Sequence, residues 1–134
     1  MYWSGWQYLW AENSDRPAMD LANGRPDLKG IGLFWRTGIA DRDTNPIRWT
    51  ASGGLGGRGL VPGRDRDVFG LGYFYTALDT ERLAGLLNVA DHVQGVEAFY
   101  GVALTPAAML TFDLQVVEDL RPGTDTAVIL GARL

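Results

Sequence analysis

The chain has 134 residues, no cysteine, and 16 acidic against 12 basic side chains. A disulfide scaffold and a thiolate metal site are therefore excluded, and a net charge of −4 with a single lysine, Lys29, speaks against a nucleic-acid surface. Eighteen glycines with 5 Trp, 5 Tyr and 5 Phe favour strands over helices.

Large apolar side chains recur with a period of two along seven segments, the mark of extended strands. The first covers residues 3–11 and carries Trp3, Trp6 and Trp10. Residues 12–28 follow as a polar linker with Pro17, Gly24 and Pro26. The second strand, 29–40, puts Ile31, Leu33, Trp35 and Ile39 on one face and Phe34, Arg36 and Gly38 on the other. An acidic turn at 40–46 leads to the third, 47–57, where Ile47, Trp49, Ala51 and Leu55 oppose Arg48, Thr50 and Ser52. The fourth, 68–78, alternates Phe69, Leu71, Tyr73 and Tyr75 with Gly70, Gly72 and Phe74. A longer connection holds TERLAGLLNV at 80–89, which reads as a short helix. The fifth strand, 92–105, sets Val96, Ala98, Tyr100, Val102 and Leu104 against Gly95, Glu97, Phe99 and Gly101. A tight turn at 105–108 opens the sixth, 109–118, with Leu110, Phe112, Leu114 and Val116 against Thr111, Asp113, Gln115 and Val117. The turn-rich stretch 119–125 precedes the last, 126–134, with Val128, Leu130, Ala132 and Leu134 against Gly131 and Arg133.

Alternation alone fits two architectures. A soluble sandwich buries its apolar face and wets the other. A membrane barrel turns the apolar face to lipid and the polar one to a water-filled lumen. Three features favour the barrel. Most segments run well past the ~5–6 residues usual in soluble domains. The aromatics Trp3, Trp6, Trp10, Trp49, Tyr73 and Tyr75 gather near strand ends, where an interfacial girdle would lie. The charges well inside strands, Arg36, Arg48, Glu97, Asp113 and Arg133, all take the polar face. No apolar run is long enough for a membrane-spanning helix, and a β-spanning chain would show none either. The N-terminus lacks a basic region and a leucine-rich core, so it is not a signal peptide.

Motifs for other chemistries are weak. Gly54-Leu55-Gly56-Gly57-Arg58-Gly59 fits a dinucleotide-binding pattern but leads into Val61-Pro62-Gly63 and another strand, not a helix. Asp41, Asp43 and Asn45 are spaced like the opening of an EF-hand, yet Pro46 replaces its glycine and Ser52 its glutamate. A solvated turn is the plainer reading. His92 is the sole histidine, so a two-histidine metal site cannot form, and it reads as a loop-end residue. Glu97 and Asp113 face the same side of a hairpin. The tight turn places Asp113 opposite Phe99 or Gly101, and Glu97 opposite Gln115 or Val117. They are then diagonal neighbours in a charged wall rather than a hydrolase pair.

The block GLVPGRDRDVFGLGYFYT at 59–76 resembles the Gly-Leu-(Ile/Val)-Pro-Gly-Arg-x-x-Asp block of the carbohydrate-selective porins, the OprB family. GIGLFWRTGIADRDTNPI, DHVQGVEAFYGVALTPAAMLTFDLQVV and DTAVILGARL resemble further blocks of that family, in order. The resemblance implies an all-β fold: an antiparallel transmembrane barrel, of which residues 1–134 are expected to form a C-terminal segment of about seven strands. It implies passive, carbohydrate-selective diffusion into the periplasm, with no catalysis, metal or cofactor. Arg36, Arg48, Glu97, Asp113, Gln115 and Arg133 are the candidates to exchange hydrogen bonds with sugar hydroxyls, and Phe34, Phe74 and Phe99 to stack on sugar rings. The implied partners are small sugars, outer-membrane lipid and the remaining strands of the same barrel, in the bacterial outer membrane, with oligomerisation left open. If the last strand ends at the periplasm, 57–67 and 105–108 are periplasmic, and 78–91 and 119–125 lie outside. The alternative from another class is a soluble β-sandwich or barrel that binds carbohydrate and needs no detergent.

Overall fold

A computed structural model describes residues 1–12, 18–19, 26–27, 29–41, 43–79, 90–118 and 125–134. Their strands are β1 (Tyr2–Glu12), β2 (Ala18–Met19), β3 (Pro26–Asp27), β4 (Lys29–Ile39), β5 (Ile47–Arg58), β6 (Val68–Leu78), β7 (His92–Thr105), β8 (Ala108–Val117) and β9 (Ala127–Arg133). Seven of these form one antiparallel sheet in the order β1-β4-β5-β6-β7-β8-β9. Every expected strand is present with ends within a residue of the periodic pattern. The pair β2–β3 lies in the stretch read as a linker, because two residues are too short to display a period. The helix expected at 80–89 lies outside the described residues.

Local chemistry accounts for the turns. In the acidic turn, the Asp41 side chain accepts from the Asp43 N–H at 2.8 Å, and its carbonyl accepts from Asn45 N at 3.0 Å. The Asn45 side chain then takes the Ile47 N–H at 2.8 Å. This is an Asx-type turn, as the plainer reading expected. Between β7 and β8 the Ala107 N–H donates to the Thr105 hydroxyl at 3.2 Å.

The connection from β5 to β6 is longer and tied down. Gly59 and Gly63 have φ of 69° and 77°, in the left-handed region that favours glycine. Asp67, only 3% exposed, accepts from Arg64 Nε at 2.8 Å, Tyr100 Oη at 2.8 Å and the Ala103 N–H at 2.9 Å. The Arg64 hydrogen bond is the largest influence holding this carboxyl below its ordinary 3.8, and the bonds from Ala103 and Tyr100 add to it against the effect of burial. Lys29 meets Asp65 at 2.7 Å, so the connection is held to β4 as well as to β7.

The sheet is a single layer. Among the described residues Ala77 is the one buried hydrophobic, while Leu71 is 52% exposed and Leu130 80%. A sandwich would cover its apolar face with a second sheet about 10 Å away. No described residue covers it.

Candidate functional site

The register sorts side chains onto two faces, since paired residues point the same way. On the polar face one row across the strands reads Trp6, Phe34, Gly54, Gly72, Glu97, Gln115 and Ile129. The next reads Tyr8, Gly32, Gly56, Gly70, Phe99, Asp113 and Gly131. On the other side of the first row lie Ser4, Arg36, Ser52, Phe74 and Gly95. The glycines make a trough, and three phenyl rings lie against it. A Cβ on Gly54 would stand 2.9 Å from the Phe34 ring, one on Gly95 2.7 Å from Phe74, and one on Gly70 2.3 Å from Phe99. Each ring sits directly opposite its glycine in the ladder, so the missing side chain is what lets it lie flat.

Charges flank this trough. Arg36 stands on β4; Glu97 on β7 and Asp113 on β8 stand on the far side. Three strand spacings, roughly 14 Å, separate the backbones of Arg36 and Glu97, too far for a direct ion pair. Phe99 pairs with Asp113 and Glu97 with Gln115, so the two carboxylates are diagonal neighbours, in the register expected from the tight turn. Asp113 leans over Gly131, its Oδ1 3.8 Å from where a Cβ would be. Arg133 closes the end of the face opposite Thr111. Arg133 lies close enough to Glu97 to interact with its carboxylate, whereas Arg36 forms no ion pair with a described residue.

Two sequence expectations need correction. Arg48 is not part of the regular polar row: the β5–β6 register slips between Ile47 and Trp49, leaving Arg48 as the extra residue of a bulge. The same slip sets Ile47 opposite Leu78 and out of line with Trp49. Trp6 does not belong with the strand-end aromatics. It pairs with Phe34 in the middle of β1 and shares the polar face with Tyr8, whose ring meets it edge-on at 5.1 Å. Alternation could not reveal this, because β1 carries aromatics on both faces, and only the partner strand decides between them. Thr50 and Thr76, also on this face, bond each other at 3.0 Å and tie β5 to β6.

The opposite face carries a row of Leu33, Leu55, Leu71, Ala98, Leu114 and Leu130 across six strands. Aromatics lie towards the strand ends on either side of it. Trp10, Phe69, Tyr100 and Phe112 stand towards one end. At the other, Trp49 stacks on Tyr75 at 4.9 Å and Tyr75 on His92 at 5.1 Å. His92 is thus the first residue of β7, as its loop-end reading expected, and also the last ring of an aromatic ladder.

No curated protein and no solved structure matches the chain significantly. A family model described as carbohydrate-selective porin, OprB family, matches residues 6–134. A porin is a channel rather than an enzyme. With nearly all of its length inside that match, and with one face charged and the other aliphatic, the chain belongs to the carbohydrate-selective porins of the OprB family.

Proposed function

We propose that this chain forms the C-terminal part of an outer-membrane barrel through which sugars diffuse passively into the periplasm, with the leucine-bearing face against lipid. The observation that carries this reading is the glycine trough. Phe34 and Trp6 lie to one side, Phe99, Glu97 and Asp113 to the other, and Arg36 beside them. A sugar offers hydroxyls to charged groups and apolar ring faces to aromatics, and many weak contacts let it enter and leave. Gln115 and Arg133 extend the same wall.

Closure supports the assignment of the missing wall to further strands of the same barrel. An odd number of alternating strands makes β1 and β9 run the same way. A second copy in the same membrane orientation would bring β9 alongside β1 in parallel. An antiparallel barrel therefore needs an odd number of additional strands, since no backbone edge can stay open in hydrocarbon. The last strand ending at the periplasm puts 59–67 and 105–108 on the periplasmic side. The connection between β1 and β4 falls at that same end, because Glu12 pairs with Lys29 there.

The test is swelling of liposomes that carry the complete barrel. Neutral monosaccharides should enter at rates that differ between sugars, and Glu97→Ala and Arg36→Ala should change their order. Rates indifferent to sugar identity and to both substitutions would overturn the selectivity.

A further inference from the structure

At the end of the polar face that carries the 105–108 turn lies a pocket of about 470 Å³ with no carboxylate in its lining. Its floor is apolar: Val68 Cγ2 and Met109 Sδ converge on Gly101, 2.7 and 2.9 Å from where a Cβ would be. Its walls carry Arg58 and Arg66, with Ala103 and the turn itself as the rim. Two described carboxylates nearby have partners of their own. Asp65 is held by Lys29 at 2.7 Å, and Asp67 by Arg64, Tyr100 and Ala103. Arg58 is steadied by its Nε–H bond to the Asp65 carbonyl at 3.1 Å. Arg66 is exposed and has no ion-pair or hydrogen-bond partner among the described residues.

We propose that this pocket binds the anionic group of a small organic acid, a carboxylate or phosphate carried on a sugar-sized body. The Arg66 guanidinium fork matches the geometry of either group, Arg58 adds positive charge beside it, and the Val68–Met109 floor accepts the carbon skeleton. The volume falls within the range of small-molecule sites. The proposal rests on the lumenal reading above only in placing the pocket at the pore's inner mouth, where it would hold acidic sugars by their anionic group.

Binding can be read without transport, on the folded protein in detergent micelles, by calorimetry with glucuronate, glucose and inorganic phosphate at low and high salt. Glucuronate should bind about tenfold more tightly than glucose at low salt, as one added charge-assisted hydrogen bond would give. Phosphate should compete with it, and high salt should remove the difference. Arg66→Gln should bring the two sugars level, and Arg66→Lys should restore part of the preference. Equal binding of glucuronate and glucose, or a preference untouched by Arg66→Gln, would overturn the proposal. So would binding of dihexanoyl phosphatidylglycerol in place of glucuronate, since a lipid headgroup belongs to the other face. Liposomes that take up neutral sugars while the micelles show no anion preference would sink this site alone. Anion binding with no sugar uptake would support it and sink the diffusion reading.

Discussion

Both faces of the sheet hold aromatic rings over glycines, yet they keep different company. On the aliphatic face Trp35 covers Gly5 and Phe69 covers Gly57; on the polar face Phe34, Phe74 and Phe99 cover Gly54, Gly95 and Gly70. The first group flanks the leucine row, and the second lies among Arg36, Glu97 and Asp113. A ring laid on a glycine is therefore a way of building a single-layer sheet, whatever bathes it. Without a second layer, cross-strand packing is the main source of side-chain contact, and glycine opposite an aromatic maximises it. Charge, not aromaticity, distinguishes the two faces. A stacking role for Phe34 or Phe99 is an addition to a structural one.

The comparison can be broken most sharply by moving a charge across the sheet. Leu71→Arg on the aliphatic face should cost about 2–4 kcal/mol in urea unfolding from lipid vesicles, whereas Gln115→Arg on the polar face should change little. Equal costs would mean that both faces see water. A smaller effect tests the ring-on-glycine packing. Gly70→Ala would place a Cβ 2.3 Å from the Phe99 ring, while at Gly56 the nearest atom stands 3.4 Å away. The first should destabilise by about 1–3 kcal/mol and the second by less, and adding Phe99→Ala to the first should relieve part of its cost. If the two glycines respond alike, the rings do not need them.

The mildest effect is confined to one end. Because the Asp67 carboxyl is held below its ordinary 3.8, its contribution is whole above that value and is lost as the pH falls through the lowered one. Acid should therefore expose the 59–67 connection to a protease active from acid to neutral pH, while the strands persist. Asp67→Asn should show that exposure already at neutral pH and lose its acid dependence. A wild-type connection indifferent to acid would remove Asp67 as its staple.

Much of this was legible along the chain. Seven strands and their facing residues follow from a period of two, which is local. The Glu97–Asp113 diagonal follows from a short turn, because so few residues leave little choice of register. What escaped was non-local. The Asp67 staple draws on Arg64 three residues back, and on Tyr100 and Ala103 more than thirty residues ahead. The bulge at Arg48 belongs to the pairing of two strands, so neither strand read alone contains it.

The order of residues by itself determined that the charges well inside strands keep to one side, since side-chain direction alternates with every peptide. Tertiary structure alone decided which rows meet: Trp6 beside Phe34, Phe99 over Gly70, and two arginines around a floor of Val68 and Met109. Those neighbours come from strands distant in the chain, and only backbone hydrogen bonds between strands set their register.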